Sequence, residues 1–410
     1  MNTEEKRALP IVIVGHVDHG KSTLIGRLLY DTGCLPPDRL AEIQKSSEML
    51  NRRLEFAFVM DCLEEERSKG ITIDTTQTFF RTAKRKYVII DAPGHKEFLK
   101  NMITGTSQAE AALLIIDSFE GIRDQTKRHA YILGMLGLKQ VCVLLNKIDL
   151  VDYSRAKFEE LKREITDFLN QLNIHPAFIL PISAIHGDQV AKRSEKTPWF
   201  EGPTVLEALD TFEELKVEEK PLRFPIQDIY RIKGERVLVG RVEAGTLTKG
   251  QTLSLLPEKK KVTVKRIKKF LDDDVASASF EESIGISLKE RLRVRRGQIL
   301  AADASSKISD TITANIFWMD PAGFQIGESL LFRCVTQEVP AWIEKIYRRF
   351  DPAAMEWVEK DASSIQGAEV AHALIRLESP VVTDSFNDVP EMGRFVLEKD
   401  GRPAAGGIIL

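Results

Sequence analysis

The chain has 410 residues but only four cysteines, Cys34, Cys62, Cys142 and Cys334. They lie far apart with no C-x-x-C pair, which argues against a zinc cluster and against a disulfide framework. Cys142, between Val141 and Val143, reads as a small core residue. Long hydrophobic runs are also missing: none approaches the roughly 20 residues that span a bilayer as a helix. The N-terminal Met1-Asn2-Thr3-Glu4-Glu5-Lys6-Arg7 lacks the apolar centre of a secretory leader. A cytoplasmic protein is expected. Charge of one sign is absent as well, with 58 Lys plus Arg against 61 Asp plus Glu, so no global basic field draws the chain to nucleic acid. Neither internal repeats nor low-complexity segments are evident. What remains is length and a hydrophobic content of 43%, enough for two or three cores.

The most specific feature is Gly15-His16-Val17-Asp18-His19-Gly20-Lys21-Ser22-Thr23. The apolar run Ile11-Val12-Ile13-Val14 before it predicts a buried parallel strand, and Leu24-Ile25-Gly26-Arg27-Leu28-Leu29 after it predicts a helix. Between them, Gly15, Gly20, Lys21 and Ser22 fit G-x-x-x-x-G-K-[ST]. In that pattern, glycines let backbone N–H groups curl around phosphate oxygens, Lys21 reaches the terminal phosphates and the Ser22 hydroxyl can hold magnesium. Val17, Asp18, His19 and Thr23 complete the cradle. The backbones of His16 and His19 are expected to matter more than their rings.

Two further motifs identify the nucleotide. Val88-Ile89-Ile90 leads into Asp91-Ala92-Pro93-Gly94-His95, where Asp91 is placed to hold magnesium and the Gly94 N–H to sense a terminal phosphate. Val141-Cys142-Val143-Leu144-Leu145 leads into Asn146-Lys147-Ile148-Asp149. A carboxylate at Asp149 can accept from both N1–H and the 2-amino group of guanine, donors that adenine does not present. Lys147 can lie over the base, and Asn146 can tie this loop to the phosphate loop. After a third apolar strand, Phe178 to Ile182, come Ser183 and Ala184, whose Ala184 N–H could meet the guanine O6. The set favours GTP and GDP over ATP.

Between the first two motifs, Glu64-Glu65-Glu66-Arg67-Ser68-Lys69 gives way to Gly70-Ile71-Thr72-Ile73-Asp74. This pattern suits a loop ordered by GTP, with Thr72 reaching magnesium and the γ-phosphate. Magnesium would therefore be held by Ser22, Thr72 and Asp91. Hydrolysis needs an oriented water and stabilised charge more than covalent chemistry. His95, directly after Gly94, is the catalytic candidate, and Val17 and Ile71 could form an apolar gate that restrains it. His129 reads as a helix-surface or interface residue.

After Leu209 the pattern changes. A charged, proline-marked linker, Val217 to Pro225, predicts a boundary. Short alternating strands follow, such as Val237 to Val242 and Val262 to Ile267, and a further β-rich segment ends in a hairpin turning at Asp400-Gly401. The expected fold is an α/β phosphate-loop domain with a mostly parallel sheet and helices on both faces (residues 1–216), then two small all-β barrels (217–305 and 306–410). The lysines at 259–261, 265, 268 and 269 read as a solvated barrel face rather than an RNA strip, because apolar residues alternate with them and Asp272-Asp273-Asp274 follows. Trp318, Trp342 and Trp357 are expected in a core or an interface.

Gly15 to Thr23, Gly70 to Asp74, Asp91 to His95 and Asn146 to Asp149 together resemble the translation-factor class of GTPases, the group of elongation factors Tu and 1-alpha. The likeness extends over the whole chain. Asn101 to Ala109 and Pro198 to Leu209 resemble both elongation factor 1-alpha and a relative, the large GTPase subunit of bacterial sulfate adenylyltransferase. Leu24 to Asp31, Gln125 to His129, Asn146 to Tyr153 and Arg295 to Leu300 resemble that subunit more closely. His19 and Ala92 depart from its usual Asp and Thr and lean toward elongation factor 1-alpha. The resemblance to that subunit, the leading expectation, implies a GTPase that couples GTP hydrolysis to adenylyl sulfate formation from ATP and sulfate by a smaller catalytic partner subunit. The alternatives are a carrier that delivers aminoacyl-tRNA to the ribosome and a stand-alone regulatory GTPase.

Overall fold

The computed structural model describes residues 8–35, 77–90, 109–213, 220–232, 234–270, 272–302 and 306–410. They form two compact units, residues 1–215 with 352–354 and residues 216–351 with 355–410. The first runs β1 (Leu9–Gly15), α1 (Lys21–Asp31), β2 (Gln77–Arg81), β3 (Lys86–Ile90), β4 (Ala111–Asp117), α2 (Asp124–Met135), β5 (Gln140–Asn146), α3 (Arg155–Gln171), β6 (Phe178–Pro181) and α4 (Val205–Leu209).

Among the described residues these strands make one sheet in the order β2-β3-β1-β4-β5-β6, parallel except for β2. Every residue of β1 and β4 is buried, as expected of Ile/Val/Leu runs in a parallel sheet covered on both faces. The helices bury one stripe each. In α3 it is Phe158, Leu161, Ile165, Phe168 and Leu169, a helical spacing that turns the charged residues outward, and Ser154 caps the helix by accepting from the Lys157 N–H. Thr204 and Glu207 form a reciprocal capping box on the short α4. Cys142 is fully buried in this core, where desolvation pushes its thiol far above the usual range. No helix among the described residues is long and apolar enough to cross a membrane.

The second unit contains two antiparallel barrels. In one, strands Thr252–Leu256, Ile299–Ala301, Arg223–Ile232, Glu235–Arg241, Ser283–Leu288 and Lys260–Lys269 pair in that order, and the last closes back on the first. Along Lys260–Lys269, Val262, Val264 and Ile267 point inward. Lys265, Arg266 and Lys268 gather around Glu235 at 3.5–3.6 Å, so this lysine-rich strand is a solvated, self-paired face. The other barrel closes through Leu330–Cys334, Arg394–Lys399, Arg402–Ile409, Lys307–Trp318, Val370–Thr383 and Gln337–Asp351. Its hairpin turns at Asp400 and Gly401 with φ of 52° and 73°, the left-handed pair that a two-residue turn requires. Trp318 is fully buried in this barrel, whereas Trp342 and Trp357 are 36% and 51% exposed and lie outside its core. Trp357 lies under the Arg348 guanidinium, 3.9 Å from its ring centre.

Within this unit the barrels share a small apolar cluster of Ala244, Leu256, Ile299 and Ala301 with Val382, Val389 and Met392. Beside it, the fully buried Arg223 grips Asp384 with two hydrogen bonds, Nε to Oδ2 at 2.8 Å and Nη2 to Oδ1 at 3.1 Å. Ser306 Oγ donates to the same carboxylate at 3.3 Å.

Candidate nucleotide-binding site

The parallel register brings the sequence motifs to one edge. Gly15 lies opposite Ile115, Asp117 opposite Asn146 and Leu145 opposite Pro181. The loops after β1, β4, β5 and β6 therefore leave the sheet side by side, at the carboxyl ends where open α/β sheets bind ligands.

Backbone closeness explains the glycines of the first loop. A Cβ on Gly15 would collide with the Ile115 carbonyl, and one on Gly20, whose φ is 93°, would collide with the Asn146 amide. The Lys21 ammonium donates to the Gly15 and His16 carbonyls at 2.8 Å each, so it is held across the inside of the loop. Ser22 and Thr23 lie on the first turn of α1, which carries no acidic side chain to compete with a bound anion. Val17 and Asp18 are exposed, and the Val17 N–H donates to Gln125 Oε1 on α2 at 3.1 Å.

His19 departs from expectation, because its ring is built into the domain. It is 1% exposed, and its Nδ1 sits 3.4 Å from the Ile115 carbonyl and 3.3 Å from the Asp117 amide. Its Nε2 faces Glu120 at 3.6 Å. Burial holds the imidazole below its ordinary pKa, favouring the neutral ring.

On the base side, Asn146 is a two-way tie. Its Nδ2 donates to the His19 carbonyl at 2.8 Å and its Oδ1 accepts the Ala184 N–H at 2.9 Å. The Ala184 amide, expected at a guanine oxygen, is thus engaged with Asn146 here. Lys147 adopts φ of 59°, left-handed for a non-glycine, and its ammonium reaches Asp117 at 2.7 Å. Burial raises the Asp117 pKa, but hydrogen bonds from Lys147 and from the Phe119 and Glu120 amides outweigh it and hold the carboxyl below its usual range. Asp149 Oδ1 and Ser183 Oγ are buried without a hydrogen-bond partner. Such atoms are costly unless something else satisfies them. Nearby, His186 Nε2 lies 3.9 Å from Asp149 Oδ2.

Thr72, Asp91, Gly94 and His95, with Ile71 of the expected gate, lie outside the described residues. Asp117, Gln125 and His186, which contact Lys147, Val17 and Asp149 here, are not singled out by any sequence motif. A lone carboxylate closing the apolar β4 was the one available signal for Asp117.

Residues 6–215 match the elongation factor Tu GTP-binding domain, 235–301 match elongation factor Tu domain 2 and 311–410 match the GTP-eEF1A C-terminal domain. The chain belongs to the elongation factor Tu and 1-alpha class of GTPases. It is 36% identical to elongation factor 1-alpha of Methanosphaerula palustris over 415 residues, covering 99% of this chain and 97% of that one. Identity to elongation factor 1-alpha of Pyrococcus furiosus is 38% over 422 residues, and to that of Methanopyrus kandleri 38% over 423, each covering 99% of this chain and 98% of the other. The described part of this GTPase site fits a guanine nucleotide: a glycine loop drawn tight against Ile115 and Asn146, a helix N-terminus free of acids and an unpartnered carboxylate oxygen beyond them.

Proposed function

We propose that this GTPase works as a GTP-gated carrier of the elongation factor 1-alpha kind, delivering aminoacyl-tRNA to the ribosome from the cytoplasm. The observation that carries the reading is end-to-end kinship with elongation factors 1-alpha, G domain and both barrels included. The division into residues 1–216, 217–305 and 306–410 belongs to the same proposal.

In this reading Gly15 to Thr23 bind the phosphates, with Lys21 already held by two carbonyls at the loop. Asn146 fixes the base loop to the phosphate loop, Lys147 covers the base, and Asp149, Ser183 and Ala184 read guanine. Ser22, Thr72 and Asp91 would hold magnesium, which supplies charge neutralisation for the phosphates. Gly94 senses the terminal phosphate. His95 orients water behind the Val17 and Ile71 gate until a partner opens it. Replacing His95 with Ala is expected to slow GTP hydrolysis by orders of magnitude while GTP still binds; an unchanged turnover removes His95 from the mechanism.

A second reading, the GTPase subunit of sulfate adenylyltransferase, rests on the segments that resemble that subunit. One of them, Asn146 to Tyr153, joins a compact network: Tyr153 donates to Asp188 at 2.8 Å, Lys196 reaches both, and the Trp199 indole donates to the Tyr153 carbonyl at 3.0 Å. The experiment that separates the readings measures GTP hydrolysis with charged tRNA and ribosomes, and separately with ATP, sulfate and the product of a neighbouring adenylyltransferase gene. Stimulation only by the second mixture overturns the carrier reading.

A further inference from the structure

We propose that His186 is a positioning residue that fixes the plane of the Asp149 carboxylate and so sets how strongly the site selects the guanine 2-amino group. The inference deepens the reading of Asp149 as the guanine acceptor and rests on it.

The backbone on both sides is pinned. Asp149 sits in a short 3-10 turn, 148–151, anchored by Ile148 N–H to the Ile182 carbonyl at 3.1 Å and by Tyr153 N–H to the Ile148 carbonyl at 2.9 Å. The loop bearing His186 is closed by Ser183 N–H to the Asp188 carbonyl at 3.1 Å and Gly187 N–H to the Ser183 carbonyl at 2.7 Å. Gly187, with φ of 76°, lies so close to the Arg27 guanidinium that a Cβ there would collide with it, and Arg27 is itself held by Asp31 at 2.8 Å. The Asp188 carboxylate is locked by Tyr153, Ser194 and Lys196.

What these bonds leave undetermined is rotation of the Asp149 carboxylate about χ2, a broad torsion with little intrinsic preference. Its two oxygens are in unlike surroundings. Oδ1 is buried without a partner, and Oδ2 faces the His186 imidazole at 3.9 Å. That separation exceeds a direct hydrogen bond but sets the polar ring edge of His186 beside one carboxylate oxygen and not the other. Guanine presents two adjacent donors, N1–H and the 2-amino group, so only a carboxylate held in the plane of the base meets both. Hypoxanthine keeps N1–H and lacks the amino group. The orientation that His186 imposes is therefore felt by GDP and not by IDP.

The test is the affinity of the full chain for GDP and IDP. His186→Ala is expected to weaken GDP about tenfold, the low end of what one hydrogen bond to a charged group is worth, and to change IDP by less than about twofold. His186→Gln, which keeps a donor of similar reach, is expected to preserve the GDP-to-IDP ratio within about twofold. Equal weakening of both nucleotides in His186→Ala, or an unchanged ratio, overturns the proposal. Asp149→Asn is measured in parallel with XDP. If it fails to shift preference toward xanthine, the reading of Asp149 itself is wrong; if it shifts while His186→Ala leaves the ratio intact, only the role of His186 falls.

Discussion

The junction between the two barrels and the nucleotide edge of the G domain handle buried polar groups in opposite ways. At the junction the protein satisfies itself. Arg223 and Asp384 share two hydrogen bonds, and Gln337 both donates to the Val382 carbonyl and accepts its N–H at 2.8 Å. At the nucleotide edge, Asp149 Oδ1, Ser183 Oγ and His16 Nδ1 are buried without hydrogen-bond partners. Self-satisfied groups mark where the chain is complete; orphaned groups converging on a loop mark where a ligand completes it. The junction has exceptions: Thr336 Oγ1, beside Gln337, is buried without a hydrogen-bond partner, and Glu243 is the other. Burial pushes its carboxyl up to about 7, outweighing the opposing pull of Arg241 and Arg394, which are themselves paired with Glu281 at 3.1 Å and Glu391 at 3.6 Å.

The contrast predicts where loss of a polar group damages folding and where it damages binding. The largest effect should follow Arg223→Ala or Asp384→Ala. Either breaks the buried ion pair and is expected to cost about 3–5 kcal/mol in denaturant unfolding of the second unit, without changing GDP affinity. A cost below about 1 kcal/mol would show that water reaches the pair. Next, Asp149→Asn should weaken GDP by roughly a hundredfold, about 3 kcal/mol, and improve XDP binding, while thermal stability without nucleotide holds or rises. Guanine preference surviving that substitution would end the distinction drawn at Asp149. Third is Glu243→Gln. With the folded pKa raised from 4.5 to about 7, the native state binds more protons than the unfolded one between those values, so stability falls as pH rises through that window and is level above it. The glutamine variant should lack this slope and be more stable by about 2 kcal/mol at pH 8, after discounting for partial solvent contact. Identical pH profiles for variant and wild type would place the Glu243 charge in water.

Local demands were legible and long-range ones were not. Gly15, Gly20, Lys21 and Asn146 could be read because strand, loop and helix follow one another directly and the close approach of backbones leaves few residue choices. The barrels could be read from alternation in segments such as Val262 to Ile267 and from the Asp400-Gly401 turn. Asp117 could not, since its meaning comes from register: only pairing of β4 with β5 sets it opposite Asn146 and within reach of Lys147. Arg223 and Asp384 are separated by 161 positions and meet only through barrel closure and packing. The His19 ring escaped for the same reason, because its partners Ile115 and Asp117 belong to another strand. The identity of the partner depends on surfaces rather than on the loops at the sheet edge, so motif reading puts sulfate activation ahead of tRNA delivery, an order that whole-chain kinship with elongation factors 1-alpha does not support.

The smallest expected effect tests whether Asp117 belongs with the self-satisfied groups or with those awaiting a ligand. It accepts from Lys147, Phe119 and Glu120, so by its bonds it resembles the junction; by position it borders the nucleotide edge. Asp117→Asn keeps the shape and removes the charge that holds Lys147. If Asp117 is structural, the variant should lose about 1 kcal/mol of stability without nucleotide, and GDP affinity should change little. Because the folded carboxyl lies below its ordinary 3.8, its contribution is full at neutral pH and fades as pH falls below that value. The stability difference between wild type and variant should therefore be constant near neutrality and shrink in acid. A GDP affinity that instead rises severalfold would mean that Asp117 competes with the base for Lys147, and that this residue is a latch on the site.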